Sequence, residues 1–256
     1  FEKLPTRAVK IVGLLEAFQQ AMPETIFAGS REGEQALRAL ESELALISAD
    51  LKRVYQSIQD LGKFSNFSQK IPILARELDE KRSELELVHQ VLALDGRKTY
   101  LLLFQNPAEI RATGGFIGSY GILRLEQGRL IEFGVDDIYN PDGQLKLKIV
   151  PPRPLLRITP RWGTRDANWF FDFADSAKKV SWFLSQTTHI EPDAVIALNP
   201  SVIMKILEFT GPIEMPDYDK VITSENFWEE TQFQTPAGPD SASGQPKRFL
   251  TILGPK

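Results

Sequence analysis

Residues 100–130 read YLLLFQNPAEIRATGGFIGSYGILRLEQGRL, and this stretch decides the fold. Tyr100-Leu101-Leu102-Leu103-Phe104 is a short unbroken apolar run, the pattern of a strand covered on both faces. A polar, glycine-containing loop follows it. Residues 117–125 and 129–135 then read as two further strands, and Glu126-Gln127-Gly128 between them supplies hairpin chemistry. Downstream, Asp172 is placed to cap a helix that carries Phe173, Ala177, Val180 and Leu184 on one face, with Asp175 in its first turn. Residues 193–198 form another strand candidate. It runs into Asn199-Pro200, a cap followed by proline at the first helical position, and a helix through Phe209 that Gly211 stops. Thr223 caps a further helix containing Phe227 and Trp228, while PAGPDSASGQPK at 236–247 has the composition of a mobile loop. Strands alternating with helices predict an α/β domain, a mixed sheet flanked by helices.

Upstream of Gly96 the pattern is different. Leu37, Leu40, Leu44, Ile47, Leu51, Val54, Ile58 and Leu61 are spaced alternately three and four apart, a heptad seam with Ser30 as its N-cap. A second stripe, Leu74, Leu78, Leu85, Val88 and Leu92, is interrupted only by Lys81, and Pro72 falls in its first turn. A shorter helix around residues 9–18 precedes both. Two antiparallel helices would bury each other's seams, so residues 1–95 are expected to be a helical hairpin or stalk and residues 96–256 the α/β domain. The hairpin serves either internal packing or a protein partner. His89, at a polar position, and His189 are both expected in solvent.

Composition removes several kinds of chemistry. The chain has no cysteine and two histidines, which excludes thiolate metal sites, cysteine nucleophiles and multi-histidine centres. A net charge of −4 argues against nucleic acid as a partner. No run approaches the ~20 apolar residues of a membrane span. The chain opens on Phe1 and ends just after an apolar run, so it is expected to be an excised segment whose α/β domain is cut short at the carboxyl end.

What remains is arginines, amides, hydroxyls and a few carboxylates. The loop after the first strand, Gln105, Asn106, Arg111, Thr113, Gly114 and Gly115, sits where open α/β sheets gather ligands. Its glycine amides and Arg111 suit an anion; equally, the glycines allow close strand packing and Arg111 bonds a carboxylate. Asp136-Asp137 ends a strand, with Asp142 in the loop beyond, and serves as a base, as part of a hard-cation site or in turn capping. Residues 143–165 hold six basic residues and no acidic one, with Pro151, Pro152, Pro154 and Pro160 preventing a helix. This is either an anion-attracting segment or a solvated loop. Arg165, Asp166 and Asn168 stand beside Trp169, Phe170 and Phe171, which either read a sugar or anchor the loop in the core.

The runs LLLFQNPAEIRATGGFIGSYGILRLEQGRL, RDANWFFDFADSA and DAVIALNPSVIMKILEFTGPI resemble the bacterial domain of unknown function 4012 over roughly residues 100–226. That resemblance implies a membrane span ahead of a helical region, with this domain outside the membrane. A more distant similarity is to the LytR–CpsA–Psr family, which transfers glycopolymers from a polyprenyl-pyrophosphate carrier to the cell wall. It implies that Arg111 matches an arginine that grips pyrophosphate, that Asp137 lies near a second motif, and that Lys247-Arg248 stands loosely for a late pair before a helix. It also implies magnesium and an apolar lipid groove. Where that family has acids this chain has Gln105 and Asn106, and Thr113 or Gly114, so the expected metal ligands are missing.

The reading that follows is a membrane-tethered, extracytoplasmic envelope protein binding an anionic, lipid-linked glycan. Arg111 and Arg165 would clamp phosphates with Gln105, Asn106, Thr113, Gly114, Gly115 and Asn168 around them. Asp137 or Asp166 would act as base if the glycan is transferred. The other readings are a non-catalytic envelope scaffold recruiting a partner through the helical region, and a hydrolase with two carboxylates, for which no acid pair is nominated.

Overall fold

The computed structural model describes residues 4–23, 25–26, 31–60, 70–234 and 247–254. Ser30, Leu61, residues 236–246 and the side chain of Ile58 therefore lie outside what is described. The chain divides into two compact units: residues 1–97 with 125–131, and residues 98–124 with 132–256.

The first unit is built on helices α1 (Leu4–Pro23), α2 (Glu32–Asp60) and α3 (Lys70–Val91). Leu37, Leu40, Leu44, Ile47 and Leu51 of the heptad seam are all buried. They are the reason α2 is helical despite a polar average, because one apolar stripe meets two neighbours. α2 runs antiparallel to both. Arg7 and Lys10 of α1 reach Glu43 at 3.3 and 2.6 Å, and Thr25 accepts the Gly33 amide at 3.0 Å. On the other side Ser48 bonds Asp79 at 2.7 Å. The expected first helix and the two seamed helices are all present, with α1 longer than the expected 9–18 and α2 in the middle.

Two corrections concern α3. Leu74, expected on its buried stripe, is 47% exposed, while Ile71 and Ala75 are buried. Alanine at the contact allows the α2 and α3 backbones to approach. His89 is not in solvent, since its side chain is only 12% exposed and lies between Glu41 at 3.5 Å and Asp95 at 2.8 Å.

The second unit contains a mixed four-stranded sheet in the order β3-β2-β1-β4, from β1 (Arg97–Asn106), β2 (Phe116–Glu126), β3 (Arg129–Asp137) and β4 (Ala194–Leu198). β4 pairs parallel to β1, with Leu102 opposite Ile196. β2 and β3 are joined by Gln127 and Gly128 alone, at φ 51° and 78°, the two left-handed residues of a type I′ hairpin. The hairpin tip packs within the helical unit. The Gly128 amide donates to Leu92 O at 3.1 Å, and a Cβ on Gly128 would lie 2.7 Å from Leu94.

Alternation along β1 sends Leu101 and Leu103 to one face of the sheet and Leu102 and Phe104 to the other. The first face meets α5 (Phe173–Thr188), where Val180, Phe183 and Leu184 complete the main core with Ile117, Ile138 and Trp162. Asp172 caps α5 as expected, accepting the Asp175 amide at 3.1 Å, and His189 ends it in an exposed left-handed conformation. The short helix α4 (Tyr139–Gln144) follows β3.

The opposite face meets a second, smaller core. It comprises α6 (Pro200–Thr210), the hairpin β5 (Ile213–Met215) and β6 (Lys220–Ile222), α7 (Phe227–Gln234) and α8 (Arg248–Leu253). Leu207, Met215, Ile222, Phe227, Phe249 and Leu253 are buried together in it. Gly211 ends α6 at φ 85°, and the Thr223 hydroxyl accepts the Glu225 and Asn226 amides ahead of α7.

Candidate functional site

Between the sheet and this second core lies a cavity of about 950 Å³. That is at the upper end of the range for small-molecule sites. Its walls are mostly apolar. Leu102, Phe104, Phe116 and Phe133 come from the sheet, while Ile203, Ile206 and Leu207 of α6, Phe227 and Trp228 of α7, and Leu250 and Leu253 of α8 close it. The polar lining comes largely from the chain leaving β1, β3 and β4: Gln105, Asn106, Glu109, Asp137, Tyr139 and Asn199, with Lys247. The strand ends supply these groups because the chain leaves the apolar layer there.

Lys247 is the one basic residue in the lining among the described residues, and its Nζ is 3.6 Å from Asp137 Oδ2, both side chains being less than one-fifth exposed. Asp137 also accepts the Tyr139 amide at 2.9 Å. Asp136, its neighbour, points elsewhere, accepting from Tyr120 Oη at 3.3 Å and Asn140 Nδ2 at 2.6 Å. Burial, and then the Asp136 charge, push the Tyr120 phenol up to about 12.

Beside the cavity the other predicted residues form two polar clusters. Gln105 Nε2 donates to Thr113 Oγ1 at 2.7 Å, and Asn168 Nδ2 donates to the same oxygen at 2.9 Å and to Gly115 O at 2.8 Å. Asp166, nine-tenths buried, lies between the two predicted arginines, with Arg111 Nη2 at 3.7 Å and Arg165 Nε at 3.3 Å. Two guanidinium groups on one carboxylate leave one positive charge in excess. Arg111 stacks on Phe116 at 5.1 Å, and Arg165 on Tyr139 at 5.0 Å. Phe116 and Tyr139 both line the cavity, so each arginine is attached to its wall without itself lining it. Arg111 Nε and Asn168 Oδ1 are buried with no hydrogen-bond partner, which is costly in a native site.

The structure separates the two roles given to the glycines. The Gly114 amide donates to Arg111 O at 3.1 Å, at φ 113°. A Cβ on Gly115 would lie 2.4 Å from Asn106 O, so this glycine permits the backbones to touch. Asn106 likewise shapes its own turn, its Oδ1 accepting the Ala108 amide at 3.1 Å. Asp142 is another structural carboxylate, accepting the amides of Thr164 at 2.6 Å and Arg165 at 3.3 Å.

Of the aromatic residues, Trp162 bonds Asp166 O through its indole at 3.0 Å, and Trp169 packs against the main core. Phe170 does not line the cavity; it packs on Trp162 at 6.4 Å between centroids. Among the described residues no group of three or more His, Asp or Glu is arranged to hold a metal ion. Sequence reasoning did not nominate Tyr139, Trp228 or Lys247 as site residues. For Lys247 the signals were its place before an apolar helix and the loose resemblance of Lys247-Arg248 to a late family pair.

The model of a family described as protein of unknown function (DUF4012) matches residues 95–235, more than half of the chain. That span holds β1 to α7, and so most of the cavity wall and all of the arginine network. No curated protein and no solved structure matches the chain.

Proposed function

The chain belongs to the DUF4012 family, and we propose that it binds a lipid-linked anionic ligand, a glycan carried on a polyprenyl pyrophosphate, as a membrane-tethered protein on the outer side of the cell membrane. The observation that carries this reading is the cavity: about 950 Å³, apolar along its walls, with polar groups at the strand ends and an arginine stacked on each of two wall residues. An apolar tail fills the space among Leu102, Phe133, Ile203 and Trp228. The head group meets Gln105, Asn106, Tyr139 and Lys247, with the excess charge of Arg111 and Arg165 nearby.

The LytR–CpsA–Psr resemblance read from the sequence implies the same division between groove and arginines. That family's magnesium does not fit this chain. Asp166 is held by two arginines, and among the described residues no group of three or more His, Asp or Glu is placed to hold a metal ion. A dication needs carboxylate or carbonyl oxygens that these residues do not offer together. The proposal is therefore binding, with no transfer step derived. A second reading, a scaffold recruiting a protein partner, draws on the exposed Ile73, Leu74, Leu87 and Val91 of α3.

Trp228 makes the first reading testable. Geranylgeranyl pyrophosphate titrated into the protein is expected to change its fluorescence saturably, and Trp228→Phe to abolish most of the signal. Inorganic pyrophosphate alone should bind far more weakly. Arg111→Ala should weaken binding several-fold, since it removes the excess positive charge beside the cavity. No saturable binding of the isoprenoid pyrophosphate, together with no polyprenyl phosphate seen by native mass spectrometry on protein from its host's membranes, would overturn the reading.

A further inference from the structure

Residues 145–161 form a loop whose surface the cavity does not explain. The Trp162 amide donates to Ile149 O at 2.9 Å, which ties the two ends of the loop together. Leu155 is buried inside it and accepts the amides of Ile158 and Thr159, each at 2.9 Å. Leu145 and Ile149 pack against the main core and Pro151 and Thr159 are buried, while a second set of side chains faces outward. Ile158 is 81% exposed, Val150 71% and Leu156 47%. Interleaved with them, Lys146, Lys148, Arg153, Arg157 and Arg161 are all exposed. None of the five forms an ion pair among the described residues, in contrast to Lys205 with Glu208 or Lys220 with Glu230. The acid nearest in sequence, Asp142, has both oxygens on the amides of Thr164 and Arg165.

We infer that this loop is a membrane-docking surface that lies on the headgroups of an anionic phospholipid bilayer, with Val150, Leu156 and Ile158 reaching the acyl boundary. The pairing of unpartnered cations with exposed aliphatic side chains fits a surface that is anionic at the headgroups and apolar just beneath. Nucleic acid fits less well. Residues 143–161 contain no aromatic side chain on which a base could stack, and aliphatic groups gain nothing from a phosphate backbone. The exposed Pro154 and Pro160 suit the interface too, because they remove two N–H donors that would otherwise lose water. The inference stands on this loop alone, whatever fills the cavity.

The test is co-sedimentation of the whole chain with vesicles of mixed phosphatidylglycerol and phosphatidylcholine, against phosphatidylcholine alone. The protein is expected to bind the anionic vesicles selectively. Binding should weaken between about 0.1 M and 1 M salt, as the screening length falls from about 10 Å to 3 Å. Neutralising Arg153 and Arg157 together should weaken it about 30-fold, at roughly fivefold for each charge. Val150→Asp with Ile158→Asp should weaken it as well; all four side chains are exposed, so these variants keep the fold. Equal binding to both vesicle types overturns the inference. So does indifference to either pair of substitutions, or retention on duplex DNA without vesicle binding.

Discussion

Replacing Gly115 by alanine tests whether the paired glycines serve packing. A Cβ there would stand 2.4 Å from Asn106 O, 2.6 Å from Asn106 C and 2.9 Å from Pro107 N. All three are backbone atoms at the end of β1, so no rotamer change relieves them. Restoring ordinary contact requires the end of β1 and the start of β2 to part by nearly an ångström. That movement pulls on Asn168 Nδ2 to Gly115 O at 2.8 Å and Phe116 N to Glu109 O at 2.9 Å. Overpacking of this kind costs about 1–3 kcal/mol. One weakened buried hydrogen bond adds about 1 kcal/mol, and the lower entropy of the unfolded alanine chain returns less than that. The expected loss is about 3 kcal/mol. Urea unfolding followed by tryptophan fluorescence suits the measurement, because Trp162, Trp169, Trp182 and Trp228 all lie in the sheet-containing unit. Gly134→Ala is the control, since nothing lies within 4 Å of its Cβ position. Gly115→Ala and Gly134→Ala both within about 0.5 kcal/mol of the parent chain would refute the reasoning.

Asp142→Ala should cost about 2–3 kcal/mol in the same assay, because two backbone amides of the turn carrying Arg165 and Asp166 lose a charged acceptor. Asp142→Asn should recover part of that, and an alanine variant as stable as the parent would show that the turn holds itself. The Tyr120 phenol, raised to about 12 by burial and by Asp136, favours its protonated form only in the folded chain. Its contribution is complete below the unfolded value of about 10 and is lost as pH rises from there toward 12. Urea midpoints should therefore fall between about pH 9 and pH 11 in the parent and fall less in Tyr120→Phe; parallel profiles would dismiss the effect.

Much of the fold is written locally. The seam from Leu37 to Leu51, the cap at Asp172, the left-handed Gln127-Gly128 pair and the stop at Gly211 each depend on a few neighbouring residues, and each is read from them. The misreadings have another origin. Leu74 continues an apolar rhythm as well as Ile71 and Ala75 do, and only the closeness of α2 decides between the two faces. His89 looks solvated because Glu41 lies 48 positions away. At the site, the residue types of the RATGG loop and the RDANW segment single out two polar clusters, and only the fold joins them, through Thr113 with Asn168 and Arg111 with Asp166. The cavity was not. Its walls gather Leu102, Phe133, Leu207, Trp228 and Leu253 from across the second unit, and no local pattern distinguishes a leucine that faces a void from one that faces a core.

The smaller core, Leu207, Met215, Ile222, Phe227, Phe249 and Leu253, is separate from the larger cluster and built from the same helices that close the cavity. Small cores open at lower free energy than the domain as a whole. On the proposed function, opening of this cluster would admit a long ligand, and a bound ligand would hold it closed by mass action. Amide exchange in α6 would then serve as a gauge of occupancy, slowing as the ligand accumulates while exchange in α5 stays unchanged.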